Sequence, residues 1–214
     1  MNVIDFRVYV ITTRLPHLGR DHAHIAEAAV HAGAKVIQFR DKQMSDRDFA
    51  ETALRLRAIA HRGGALFIVN DRVQIAVSVA ADGVHVGRND ADVRGLRGSL
   101  PPGMILGASA TDYEESLKMS IAGADYLGVG PVFPTGSKDD ATAPIGINEL
   151  SRICRDVRTP VVAIGGISQK NLPDIINTGA AGAAVISAVA AAPSMTLATT
   201  ALVLLWEQAR STTA

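Results

Sequence analysis

Eight short runs of β-branched and aliphatic residues recur along this chain, each followed by a segment with helical spacing. This alternation constrains the fold more than any other feature. The runs are 6–12, 35–40, 65–70, 83–86, 104–109, 126–129, 161–164 and 183–186. They are apolar on both faces, as strands of a parallel sheet covered on both sides must be. Between them, Asp21 can cap a helix reaching about His31, with Ile25, Ala28 and Ala29 on one face. Ser45-Asp46-Arg47-Asp48 has the form of a capping box with Asp in place of Glu, and Phe49, Ala53, Leu56 and Ala60 mark the buried face that follows. Thr111-Asp112-Tyr113-Glu114 reads as another box, opening a helix to Ala122. Shorter helices are expected over 73–80, 148–154 and 173–178, a last one over 194–210, and a polar loop with a short helix over 88–100.

A faint repeat strengthens the pattern. Ala32-Gly33-Ala34, Ala81-Asp82-Gly83, Gly123-Ala124-Asp125 and Gly179-Ala180-Ala181 all stand between a helix and the next strand, where small residues permit a tight turn. Eight units share 214 residues, about 27 each. The expected fold class is α/β, a single-domain (β/α)8 TIM barrel over 1–214. A doubly wound open sheet would ask for a glycine-rich loop after the first strand, and Thr12-Thr13-Arg14-Leu15-Pro16 is nothing like G-x-G-x-x-G.

Charge and composition narrow the partners. Net charge is +0 and aromatics are 4%, so no basic-aromatic patch invites nucleic acid. One cysteine, Cys154, rules out an internal disulfide framework and fits a reducing, cytoplasmic compartment; beside Ile153 it reads as a buried structural thiol. The first fourteen residues lack a basic region and a long apolar run, so no signal peptide is expected. Residues 175–206 carry no charge, but Gly, Asn, Pro, Ser and Thr interrupt them; a buried strand, turn and helix is expected there rather than a membrane span. The sequence leaves room for a homo-oligomer.

In such a barrel the residues just after each strand meet at one mouth. The second strand ends Gln38-Phe39-Arg40-Asp41-Lys42, and alternation puts Gln38, Arg40 and Lys42 on one side: an amide and two cations. Asn70-Asp71-Arg72 ends the third strand, and Asp90 lies in the loop after the fourth. Two carboxylates facing Arg40, Lys42 and Lys138 suit Mg²⁺ held between acids and a phosphate. Ser109 ends the fifth strand. The sixth runs into Gly128-Val129-Gly130-Pro131-Val132-Phe133-Pro134-Thr135-Gly136-Ser137-Lys138, a loop equipped to hold an anion and, framed by prolines, to close as a lid. Gly165-Gly166 and Ile186-Ser187, after the seventh and eighth strands, have the pattern of a backbone-built phosphate site. His17, His22, His24, His31 and His61 are expected at the surface; His85, inside a strand, could line the barrel. No Ser-His-Asp spacing, HExxH, CxxC or Walker A motif is visible.

Taken together these motifs resemble the thiamine-phosphate synthase family. Its Q-x-R-E-K stands here as Gln38 to Lys42, N-D-R as Asn70 to Arg72, and A-D-G-V-H-x-G with a following acid as Ala81 to Gly87 with Asp90. G-x-S is Gly107 to Ser109, G-A-D-Y-x-G-x-G-P is Gly123 to Pro131, P-T-x-T-K is Pro134 to Lys138, and A-I-G-G-I is Ala163 to Ile167. Asp41 replaces the usual Glu and Ser137 the second Thr. The resemblance implies a Mg²⁺-assisted transferase that joins 4-amino-2-methyl-5-hydroxymethylpyrimidine diphosphate to 4-methyl-5-hydroxyethylthiazole phosphate, or its carboxylated form, releasing pyrophosphate. It implies that Gln38, Arg40, Lys42, Asn70, Ser109 and Lys138 hold the pyrimidine diphosphate, with Phe39 and Asp41 also among the substrate-binding residues and Arg40, Ser109 and Lys138 nearest the chemistry. Asp71 and Asp90 would bind Mg²⁺; Thr135, Gly136, Ser137, Gly166, Ile186 and Ser187 would hold the thiazole phosphate. The alternatives are a thiazole tautomerase of the same superfamily, which carries a His where this chain has Ala110, and a phosphate-binding barrel without activity.

Overall fold

The structure, a computed structural model, describes residues 4–87, 92–136 and 143–211. Its strands are β1 Val8–Thr12, β2 Val36–Phe39, β3 Leu66–Asn70, β4 Gly83–Val86, β5 Ile105–Ala110, β6 Tyr126–Val129, β7 Val161–Ile164 and β8 Gly182–Val185. Each pairs in parallel with the next, and β8 pairs back onto β1 (Val8 opposite Ala183), closing an eight-stranded barrel. The helices are α1 His22–His31, α2 Asp46–Arg62, α3 Val73–Ser78, α4 Val93–Ser99, α5 Tyr113–Ile121, α6 Gly146–Asp156, α7 Leu172–Asn177, α8 Ser187–Ala190 and α9 Met195–Ser211.

Strand alternation divides the core in two. Val8, Val10, Ile37, Phe39, Phe67, Val69, Leu106 and Leu127 point outward and are sealed by the helices. Phe39 stacks on Phe49 of α2 with ring centroids 4.0 Å apart, each phenyl ring contributing about 1.5–3 kcal/mol by leaving water. Tyr9, Ile11, Val36, Ile68, Tyr126, Val162 and Ala184 point inward and fill the barrel.

Local chemistry starts the helices. The Asp21 carboxylate accepts the His24 N–H, and the Ser45 hydroxyl oxygen accepts that of Asp48 while donating its proton to the Asp48 carboxylate. The expected box at Thr111 is shifted by one residue. Asp112 is the cap, accepting the Glu115 N–H, and the Glu115 carboxylate reaches back to the Thr111 N–H and hydroxyl. Asp112 is the residue with the extended backbone of a cap. At the opposite end of the barrel from the mouth, the repeat turns carry a device of their own. Asp82 accepts the Phe67 N–H and Asp125 the Leu106 N–H, each at 2.7 Å, tying a strand start to its neighbour.

The uncharged stretch 175–206 forms the end of α7, β8, α8 and most of α9. Among the described residues no helix is long and apolar enough to cross a membrane. Cys154 is half-buried, its sulfur 3.9 Å from the Thr178 hydroxyl; burial pushes its thiol pKa up, so it stays protonated.

Candidate active site

The inward residues at the mouth form a hydrogen-bonded chain. The Gln38 amide nitrogen donates to Tyr9 Oη at 2.7 Å, and Tyr9 Oη lies 2.7 Å from Tyr126 Oη. Tyr126 Oη is 3.0 Å from His85 Nδ1, and His85 Nε2 is 2.9 Å from Ser109 Oγ. These five side chains, with Ile11, Gly128, Val162, Ile164 and Ala184, line a narrow cavity of about 20 Å³ that opens at the mouth. Burial pushes the pKa of both tyrosines up, so both are neutral phenols. The chain runs through space that two glycines leave. A Cβ at Gly107 would lie 2.3 Å from Tyr126 Cζ and 2.5 Å from His85 Nδ1; one at Gly128 would lie 2.9 Å from His85 Cε1.

The loop after β2 is built differently from its expected form. Gln38 points into the barrel, but the Phe39 side chain is turned away from the mouth, fully buried between β2 and α2. Asp41 is bound up within the loop. Its carboxylate accepts the N–H groups of Gln43 and Met44 and pairs with His22 Nε2 at 3.1 Å and Arg14 Nε at 2.9 Å. A side chain so engaged shapes the loop. Although burial raises its pKa, the backbone donors and His22 pull it below the usual carboxylate value. Arg40 is half-buried at the end of β2, and Lys42 is exposed beyond it.

His22, expected at the surface, is buried. Burial lowers its pKa despite Asp41 beside it, so the ring is neutral, with Nε2–H donating to Asp41 and Nδ1 accepting from the Thr12 hydroxyl at 2.9 Å. On unfolding it regains an ordinary pKa of about 6.5. The unfolded chain therefore takes up the proton first as pH falls, and stability present above about 6.5 is lost below it. His22→Gln should flatten the fall in unfolding free energy between about pH 7 and 5; urea melts across that range check it, and an unchanged slope would refute the neutral assignment.

At the end of β3, Asn70 and Asp71 are half-buried. Asp71 has φ 62, left-handed for a non-glycine residue, and its N–H reaches the His85 carbonyl of β4 at 2.9 Å. Strain of this kind collects where a side chain must be aimed. Arg72 is a strut: it donates to Asp46 Oδ1 and to the carbonyls of Met44 and Asp41, and lies over the Phe49 ring at 4.3 Å. It bolts the β2–α2 loop to the end of β3. Asp90 lies outside the described residues, and among the described residues no cluster of three or more His, Cys, Asp or Glu could hold a metal.

The loop after β6 begins anchored rather than loose. The Val132 and Phe133 N–H groups donate to the carbonyls of Ile164 and Gly165. Gly166 has φ 67, and a Cβ there would lie 2.6 Å from the Pro134 carbonyl oxygen, so only glycine lets the two loops lie together. The Gly166 carbonyl accepts from Asn171. Thr135 is half-buried and Gly136 exposed; Ser137 and Lys138 lie outside the described residues. Ile186 is half-buried after β8, and Ser187 is exposed at the start of α8.

The chain's matches to known proteins agree with this arrangement. The model of the family described as thiamine monophosphate synthase matches residues 8–189. The chain belongs to that family. A thiamine-phosphate synthase of Chloroflexus aurantiacus is 48% identical over 197 residues, 92% of this chain and 91% of that one. One of Archaeoglobus fulgidus is 49% identical over 185 residues, 86% of each. The solved thiamine phosphate pyrophosphorylase of Pyrococcus furiosus superposes with a TM-score of 0.87 at 38% identity, covering 96% of this chain and 97% of that one. Thiamine monophosphate synthase membership makes the chain a transferase of thiamine biosynthesis, and its barrel is the fold the sequence predicts.

Within this family frame, sequence reasoning missed Tyr9 and Tyr126. Both sit in apolar strands and read as core. The available signal was parity: Tyr9 alternates with Ile11 and Tyr126 with Gly128, on the same face as Gln38, His85 and Ser109.

Proposed function

We propose that the chain, as one catalytic domain over 1–214, condenses the pyrimidine diphosphate with the thiazole phosphate, or its carboxylated form, and releases pyrophosphate in the cytoplasm. What carries the reading is the agreement between family membership and a mouth whose strand ends bear amide, hydroxyl, carboxylate and cationic groups. The single cysteine suits a reducing compartment. The partners are these small molecules, not nucleic acid or membrane.

The reaction is dissociative. The methylene C–O bond breaks, its electron pair leaves with pyrophosphate, and the thiazole nitrogen donates its lone pair to the resulting pyrimidine-methyl cation. Such a step asks for charge neutralisation on the leaving group rather than for a strong base. Arg40, Lys42 and Lys138 supply positive charge to the diphosphate, and Gln38, Asn70 and Ser109 supply hydrogen bonds. Thr135, Gly136, Ser137, Gly166, Ile186 and Ser187 hold the thiazole phosphate by hydroxyl and backbone N–H groups. Hard carboxylate oxygens at Asp71 and Asp90 fit Mg²⁺, and the strained backbone of Asp71 supports a carboxylate aimed with purpose. When bound, that ion neutralises the leaving diphosphate.

Purified protein given both substrates and Mg²⁺ should form thiamine phosphate and pyrophosphate in equal amounts. Isomerisation of the thiazole without coupling would instead indicate a tautomerase, and no turnover a binding barrel. Lys138→Ala should slow the coupling about a hundred-fold with little change in melting temperature. Near-normal rates would remove Lys138 from the leaving group.

A further inference from the structure

We propose that Tyr9, Tyr126 and His85 are positioning residues that carry hydrogen-bond polarity across the barrel, from the Gln38 amide to the Ser109 hydroxyl, and hold Ser109 as a donor toward the pyrimidine diphosphate. This rests on the reading above that Ser109 faces that substrate. The direction follows link by link. The Gln38 amide nitrogen can only donate, so Tyr9 Oη accepts from it. The acceptor within reach of Tyr9's own proton is Tyr126 Oη, 2.7 Å away. Tyr126 then spends its proton on His85 Nδ1. With Nδ1 accepting, the ring proton sits on Nε2 and points at Ser109 Oγ. Ser109 Oγ, already accepting at the half-buried end of β5, has its own proton left to donate, and no acceptor for it stands among the described residues.

The molecule gives this chain dedicated room. The inward positions of β5 and β6 beside the imidazole are Gly107 and Gly128, and a Cβ at either would drive into Tyr126 or His85. Both rings are thus held against backbone, which locks their rotamers. The neutrality of both buried phenols keeps each able to donate. A hydroxyl oriented in advance stabilises negative charge developing on a leaving oxygen without reorganising during the step. A serine free to rotate would divide its time between donating and accepting. One amide decides the sense: with Gln38 flipped, every link reverses and Ser109 becomes an acceptor.

Two measurements test this. Nitrogen NMR of the ¹⁵N-histidine-labelled protein without substrate should find His85 as the Nε2–H tautomer. The Nδ1–H tautomer would mean reversed polarity and would overturn the proposal, whatever the activity. A double-mutant cycle supplies the second arm. Tyr126→Phe should lower kcat about ten-fold with KM for the pyrimidine diphosphate nearly unchanged, and should cost nothing more in a Ser109→Ala background. Tyr9→Phe, which breaks the chain one link earlier, should behave the same way and covers a poorly folding Tyr126→Phe. Additive losses would overturn the relay. Wild-type turnover by Ser109→Ala would instead sink the placement of Ser109 against substrate, and the tautomer would still decide the polarity.

Discussion

Asp71→Asn is expected to lower turnover by about a hundred- to a thousand-fold at fixed Mg²⁺ while leaving the melting temperature close to that of the parent. Asparagine is nearly isosteric and tolerates the left-handed conformation that φ 62 imposes, so the backbone of the β3 exit is kept. What changes is charge: one fewer anionic oxygen faces the metal that would neutralise the leaving diphosphate. The Mg²⁺ concentration for half-maximal rate should rise with the loss. Asp71→Ala should lose the same activity and, in addition, about 1 kcal/mol of stability, because alanine pays the full steric cost of that conformation. A magnesium titration superimposable on that of the parent would exclude Asp71 from the metal site. The two substitutions together separate the carboxylate from the turn it sits on.

Gly107→Ala should be the more damaging of the two inward glycine substitutions beside the imidazole. The added Cβ would meet Tyr126 Cζ at 2.3 Å and His85 Nδ1 at 2.5 Å, both buried and packed, so the rings must move rather than the methyl. Overpacking of this kind costs about 1–3 kcal/mol, several degrees of melting temperature in a domain of this size. It should also part Tyr126 from His85 and depress kcat. Gly128→Ala meets His85 less closely, at Cε1 2.9 Å and Nε2 3.3 Å, and should cost less on both counts. Equal melting temperatures for the two variants and the parent would show that the inward face is looser than the geometry implies.

Most of the architecture was legible in the chain because its signals are local. The eight strands were expected within a residue or two of their observed limits, since short apolar runs bounded by turn residues report directly on buried strands. Helix starts were legible to within two residues; Thr111 against Asp112 was lost because both can cap and only their backbone conformations choose. The helix α8 escaped notice because four residues, Ser-Ala-Val-Ala, are too few to carry a helical period. Polar residues at strand ends announced the mouth, but motif membership did not distinguish groups that face it from groups that hold it up. Phe39, Asp41 and Arg72 lie in the same motifs as Gln38 and Arg40, and structure gives all three to packing and loop bracing.

The sequence alone determined the alternation, the strand parity and thus the set of residues sharing the inward face. Only tertiary structure decided which of those residues touch. Tyr9 and Tyr126 are 117 positions apart and meet at 2.7 Å because the sheet closes on itself; no local pattern encodes that distance. His22 is buried because α1 packs its first turn against the ends of β1 and β2, where Thr12 and Asp41 wait. Propensity and periodicity act over a few residues, whereas hydrogen-bond partners inside a barrel are set by its radius and register, which exist only once all eight strands are joined.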